Sequence, residues 1–200
     1  MIEYITGQLK ELSPAAATVE TASGVAYDLN ISLNTFSVLE SHLSESVKLY
    51  VHENIREDAW VLFGFAAREE RALFRSLIGV SGVGAGTARV ILSSHTVTEL
   101  ETIISTGDTK ALKQVKGVGA KTAERIIVDL RDKIKPGDFT LLSVGVPSSK
   151  RNNDVYEEAL AALVMLGFSA SASKKALDKL FASDPGLKVE SAIKKALSML

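Results

Sequence analysis

The sequence predicts an α+β chain of several domains: a β-rich first third, a helical middle and a small helical end. Three observations carry this. Apolar residues alternate with period two through residues 1–64, two sixteen-residue stretches in the middle repeat each other, and helical spacing returns after an interval rich in Pro, Gly and Ser. Two hundred residues make one or two domains of ordinary size, or three small ones. A hydrophobic share of 46% against 24% charged is that of a folded chain and argues against wholesale disorder. There are no cysteines, which excludes disulfides and thiolate zinc sites. The start MIEYITGQLK lacks the charged and apolar regions of a signal peptide, and no apolar run approaches a membrane span, so the expected compartment is the cytoplasm.

In the first third, Val25, Tyr27, Leu29 and Ile31 point one way, as do Val47, Leu49 and Val51. Strands are expected near 1–12, 16–22, 25–32, 46–54 and 58–64. Between the third and fourth, Leu33, Phe36 and Leu39 fall at helical spacing. Periodicity alone supports a small antiparallel barrel or sandwich. Charge is distributed unevenly. Residues 1–64 hold nine acidic and three basic side chains, a net of −6; residues 65–145 carry +3 and residues 146–200 carry +2. An acidic third is repelled by duplex DNA. A solvated face accounts for most of these carboxylates, but Glu57 and Asp58, paired after Arg56 in the turn between the last two strands, ask for another account.

In the middle, residues 66–79 form an amphipathic helix with Leu73, Phe74 and Leu77 as its stripe. Arg68, Arg71 and Arg75 lie largely outside it and are expected to meet solvent or ion-pair partners. Residues 77–92, LIGVSGVGAGTARVIL, and 112–127, LKQVKGVGAKTAERII, then match at nine of sixteen positions. Each reads as helix, tight hairpin, helix. Gly82 and Gly84, and likewise Gly117 and Gly119, are expected to take positive φ and to bring the backbone close to a ligand. The unpaired N–H groups opening the next helix favour an anion such as phosphate. Thr96 and Glu99 form a capping box for a helix of about ten residues, and Asp108 caps the next.

Two other phosphate loops fail on spacing. A Walker A loop requires glycine where Ala120 and Val115 stand, and a dinucleotide fingerprint requires it at Thr87 and Thr122, after a strand. What remains resembles the helix-hairpin-helix motif, a clamp on the DNA backbone that ignores base sequence. That resemblance nominates Gly82, Val83 and Gly84 in the first copy and Gly117, Val118, Gly119, Lys121, Thr122 and Arg125 in the second, with Lys113 and Lys116 nearby.

From Pro136 the pattern stops, and residues 136–153 are expected to be a flexible linker spanning roughly 20 to 25 Å. Residues 154–200 then give three short helices. Val155, Ala159, Ala162, Leu163 and Leu166 form one apolar face, Ala176, Leu177, Leu180 and Phe181 a second, and Val189, Ala192, Ile193, Ala196, Leu197 and Leu200 a third. So small a bundle suits recognition better than catalysis. His42, His52 and His95 are scattered without carboxylates at ligand spacing, which predicts surface or satisfied structural roles. No nucleophile elbow or paired-carboxylate nuclease pattern is found, so no active site is inferred. The rival classes are a structure-specific nuclease or glycosylase that uses the hairpins to hold substrate, and an RNA-associated or structural adaptor.

The order of the parts, with REDAWVLFGF at 56–65 and GVGAKTAERIIVDLRDK at 117–133, resembles the RuvA family, the Holliday-junction-binding subunit of the bacterial branch-migration machine. The resemblance covers the whole chain. It implies an acidic OB-fold barrel at 1–64, a tandem helix-hairpin-helix domain at 65–135 and a three-helix domain at 154–200. It further implies a homotetramer or octamer on junction DNA, with Arg56, Glu57 and Asp58 as a pin at the crossover. The three-helix domain would contact a hexameric RuvB-type ATPase, and a RuvC-type resolvase is a further partner. No cofactor is implied for this chain, since ATP and Mg belong to the motor. The family usually carries lysine where Gly86 stands, and Arg89, one turn on, is the expected substitute.

Overall fold

The computed structural model describes residues 1–134, 151–184 and 186–199. It divides into two units, Met1–Gly145 and Val146–Leu200.

The first unit begins with β1 (Tyr4–Ser13), β2 (Ala16–Glu20), β3 (Ala26–Asn30), α1 (Leu33–Leu39), β4 (Ser46–Ile55) and β5 (Trp60–Phe65). The strands close in the order β1-β2-β3-β5-β4, the OB arrangement with its helix between the third and fourth strands. All pairs are antiparallel except β3 with β5, which pair in parallel at Leu29–Leu62 and Asn30–Phe63. Strand β1 serves two neighbours, β4 over Tyr4–Gln8 and β2 over Gln8–Ser13, and its register shifts between Leu9 and Glu11. Such a bulge bends a strand enough to close a barrel. The alternating residues fill the interior, with Leu9, Val19, Leu29, Leu49 and Val51 fully buried. Val25 departs from the expected pattern. It precedes β3, where no strand covers it, and is 48% exposed.

Five helices follow: α2 (Arg68–Ile78), α3 (Ala85–Ser94), α4 (Val97–Thr106), α5 (Thr109–Lys113) and α6 (Ala120–Leu130). The Thr96–Glu99 capping box and the Asp108 cap are both formed, the latter by Asp108 accepting from the N–H groups of Lys110 and Ala111. These helices do not stand apart from the barrel. Strand β5 is apolar on both faces: Leu62 joins the barrel interior, while Phe63 and Phe65 belong to the helical core with Leu73, Phe74, Leu77, Ile91 and Ile126. The ring of Phe74 lies 5.1 Å from Phe63 and 4.9 Å from Phe65, centroid to centroid. Tilted pairs at this distance add to the energy of burial.

Two polar ties flank that seam. The Glu70 carboxylate accepts from Ser32 Oγ, which caps α1, and from Thr35 Oγ1 at 2.7 Å; both hydroxyl residues are fully buried. Burial raises the Glu70 pKa, against the two hydroxyls that lower it. On the other side, the Arg71 guanidinium donates to the Glu3 carboxylate, to Glu3 O at 2.7 Å and to Val51 O at 3.3 Å, and Arg75 donates to Val51 O at 3.3 Å. The hydrogen bond from Arg71 holds the Glu3 carboxyl below its ordinary range. Arg71 is therefore not a solvent-facing residue. It has its ion-pair partner, but at 4% exposure it is a buried clasp between helix and barrel. Arg68 remains exposed, its guanidinium 5.5 Å from the Tyr50 ring.

The second unit has α7 (Arg151–Met165), α8 (Ala170–Ser183) and α9 (Val189–Leu197) around Ala159, Leu163, Ala176, Leu177, Ala192 and Ala196. Leu160 and Leu187 join this core as well. Leu166 and Leu197, expected inside, are 59% and 41% exposed because each sits where its helix has stopped or is stopping. Leu200 lies outside the described residues. Of the expected linker, 136–150 also lie outside them, while 151–153 open α7.

Glu70→Ala should lower the stability of the first unit by about 2–3 kcal/mol, since two buried hydroxyls lose their acceptor. Glu70→Gln should lose less. Because the folded pKa is raised, the native state takes up its proton before the unfolded chain does as the pH falls, and it loses that advantage as the pH rises. Wild type should therefore gain on Glu70→Gln between pH 7 and pH 5, as read from urea midpoints.

Candidate nucleic-acid interface

The sequence repeat becomes a repeat of backbone geometry. In the first hairpin Val80 N–H donates to Leu77 O and Val83 N–H to Val80 O, both at 3.0 Å; in the second Val115 donates to Leu112 O at 3.1 Å and Val118 to Val115 O at 3.0 Å. Gly82 has φ +91° and Gly117 φ +90°. The following N-caps, Gly84 at φ −85°, ψ 167° and Gly119 at φ −81°, ψ 170°, agree within a few degrees.

The two glycines of each hairpin do different jobs, which corrects the expectation that all four take positive φ. Only Gly82 and Gly117 occupy the left-handed region. Gly84 and Gly119 are extended, and a Cβ built on either would meet no protein atom within 4 Å. The fold does not require glycine there. What its absence of side chain provides is open space above the first turn of α3 and of α6. No side chain caps either helix, whereas Thr96 and Asp108 cap α4 and α5. Both hairpins therefore present first-turn N–H groups and the positive end of a helix dipole to solvent.

The side chains around the hairpins are not symmetric. Val83 and Val118 are buried, so these residues offer only main chain outward. Thr122 is half-buried, while Lys121 and Arg125 on α6 are exposed, as are Lys113 and Lys116. In the first copy Gly86 leaves its position bare. Arg89, the expected substitute, is drawn toward the barrel: its Nη1 donates to Ala15 O and to Asn30 Oδ1, both at 3.1 Å, tying α3 to it. Instead Arg125 Nη1 comes within 4.0 Å of the Cβ position of Gly82. The second motif thus places its arginine against the first hairpin. Their separation of 43 positions hides this proximity from any local reading of the sequence.

The remaining candidates stand on the ribbon of β4 and β5. Arg56 N–H donates to Ala59 O at 2.8 Å and closes the turn, which holds Arg56, Glu57 and Asp58 in solvent. Among the described residues none of the three enters an ion pair, and no hydrogen bond joins them to the hairpins. Their charge acts outward.

Of the histidines, His42 pairs with Glu45 at 2.8 Å, and His52 lies 5.2 Å from the Phe74 ring with its pKa pulled down by burial. His95 is not the satisfied residue expected, since its Nε2 is buried without a hydrogen-bond partner. Among the described residues no cluster of His, Cys, Asp or Glu could hold a metal ion, and no helix is long and apolar enough to cross a membrane.

Family models match three stretches: RuvA N terminal domain at residues 1–64, SAM-like helix-hairpin-helix tandem at 74–132, and RuvA C-terminal domain at 154–200. Proteins named Holliday junction branch migration complex subunit RuvA align along the full length of both chains. Identity is 50% over 204 residues in Bacteroides fragilis, 48% over 204 in Bacteroides thetaiotaomicron and 49% over 201 in Parabacteroides distasonis. With its barrel, its doubled hairpin and its helical end each matched in order, the chain belongs to the RuvA family.

Proposed function

We propose that this chain binds four-way DNA junctions through their phosphates, without reading base sequence, as the junction-binding subunit of a branch-migration complex. The observation that carries this is the pair of hairpins with one backbone geometry, each opening a helix whose first-turn amides no side chain occupies. Two such ends, packed in one core, suit a duplex backbone engaged at two phosphates. Gly82, Gly84, Gly117 and Gly119 supply main-chain donors, while the amides of Val83 and Val118, bonded to Val80 O and Val115 O, hold the two hairpins in shape rather than donating outward. Lys121 and Arg125 add charge, Thr122 a hydroxyl, and Arg125 serves the hairpin that lacks its own cation. Arg89 acts through the barrel, keeping α3 in place.

The names of the relatives support a place in a branch-migration complex. On this reading residues 154–200 engage and load a hexameric RuvB-type ATPase, which hydrolyses ATP with Mg, and this chain catalyses nothing. Four copies, or eight, surround the junction in the cytoplasm, where a RuvC-type resolvase can join them. Arg56, Glu57 and Asp58 of each copy then meet the crossover. Attraction on the arms and carboxylate repulsion at the centre together select a branched DNA over a linear one, because only the branched form has an opening where the pins sit.

Lys121→Ala and Arg125→Ala should each weaken junction binding and reduce the slope of log K against log salt by about 0.9 for every phosphate that the variant no longer neutralises, as read by anisotropy titration; an unchanged slope would show that neither side chain touches the backbone. Glu57→Gln with Asp58→Asn should raise duplex affinity and shrink the preference for junction, and a preference left intact refutes the pin. Gly119→Ala should keep the wild-type urea midpoint yet bind DNA more weakly. Gly117→Ala, forced to positive φ, should lose about 1–2 kcal/mol of stability.

A further inference from the structure

The acidic pin rises from a part of the barrel that is apolar where solvent would be expected. On β4 the interior residues Val47, Leu49 and Val51 are buried, and past Glu53, whose carboxylate accepts from Ile2 N–H at 2.8 Å, the same face ends on Ile55, which is 69% exposed. On β5 the interior face runs back from Leu62 to Trp60, 64% exposed, and Ile55 and Trp60 sit directly opposite each other. On β3 it runs back from Leu29 to the half-buried Tyr27. Three strands thus carry their interior stripe past the mouth of the barrel. Pairing of β3 with β5 begins only at Leu29–Leu62, and before it lies an open groove of about 360 Å³ lined by Tyr27, Asp28, Asn30 and Trp60.

We infer that this groove takes an unpaired nucleobase, stacked on Trp60, from the strands separated at the pin. The inference rests on the junction reading for where that base comes from, and on the groove itself for what fits. Asp28 in the groove and Glu57 and Asp58 above it repel phosphate and acidic peptide alike. A nucleobase is neutral and planar, with a face for the indole and amino or imino hydrogens for the Asp28 carboxylate. Asn30 is already committed, accepting from Arg89 and donating to Leu62 O, and Asp28 brings the carboxylate of the groove. In OB barrels the loop between the fourth and fifth strands, here the pin, borders the surface that holds single strands. Stacking on an aromatic side chain is indifferent to sequence, as a migrating crossover requires.

Trp60 is the only tryptophan of the chain, so its emission reports the groove directly. The full-length protein is titrated with a linear duplex, a fully paired junction, a junction carrying unpaired thymines at the crossover, and a thymine 12-mer. Anisotropy of the labelled DNA is followed in parallel. The thymine junction and the 12-mer should quench Trp60 at least twofold, and the duplex should leave it unchanged. Trp60→Ala should melt as wild type and bind the fully paired junction within about threefold, but bind the thymine junction on the order of tenfold more weakly, with Trp60→Phe restoring most of that. Binding of the thymine junction without quenching overturns the groove assignment. So does an emission already blue-shifted without DNA and insensitive to every probe, which would place Trp60 between copies of the chain. Quenching by the 12-mer without any junction binding would instead sustain the groove and refute the junction reading.

Discussion

The two-sided burial of β5 is the constraint on which the rest of the first unit depends. Leu62 closes the barrel while Phe63 and Phe65, one residue out of phase, are core for the helices. A barrel and a helical domain joined by a tether would pivot. Here they share a strand, and Glu70 on one side and Arg71 on the other lock the rotation that a purely apolar seam would allow. On the proposed reading, such rigidity is what lets repulsion at one point and attraction at two others act on the same DNA. Charges that could drift relative to one another would average out rather than discriminate.

The fold was legible wherever one residue answers to one neighbour. Period-two alternation located the strands, and the capping residues Thr96 and Asp108 marked helix starts because their signal is local. The doubled Gly-Val-Gly was legible because duplication supplied an internal control. What could not be read depended on distant partners. Arg71 looks like a surface residue until Glu3 and Val51 are brought to it. Arg89, one turn from an empty position, looks like its substitute until Ala15 and Asn30 claim it. The glycines show a further limit. Sequence says that four residues lack a Cβ, and only dihedral angles separate the two that the chain needs from the two that it does not. The exposure of Trp60 is not readable either, because its place in the alternation is that of a core residue. That the barrel wall ends before reaching it is a fact of topology.

The exposure of that residue bears on how the barrel keeps to itself. An open apolar mouth on a β-ribbon invites association with other chains. The neighbouring carboxylates Asp28, Glu57 and Asp58 counter this by keeping charge and water at its rim. On the proposed reading, the same acidic side chains that border the apolar surface turn away phosphate.

The reach of Arg125 to Gly82 makes the two copies of the repeat depend on each other. Tandem copies are ordinarily free to drift apart, each retaining its own equipment. Once one copy borrows from the other, they cease to be interchangeable parts. Position 86 carries no cation while Arg125 stands within 4.0 Å of the Gly82 Cβ position, so a change at Arg125 is felt at both hairpins. Grafting either half into another scaffold would transfer an incomplete grip. On the proposed reading, the two copies of the motif work as one unit.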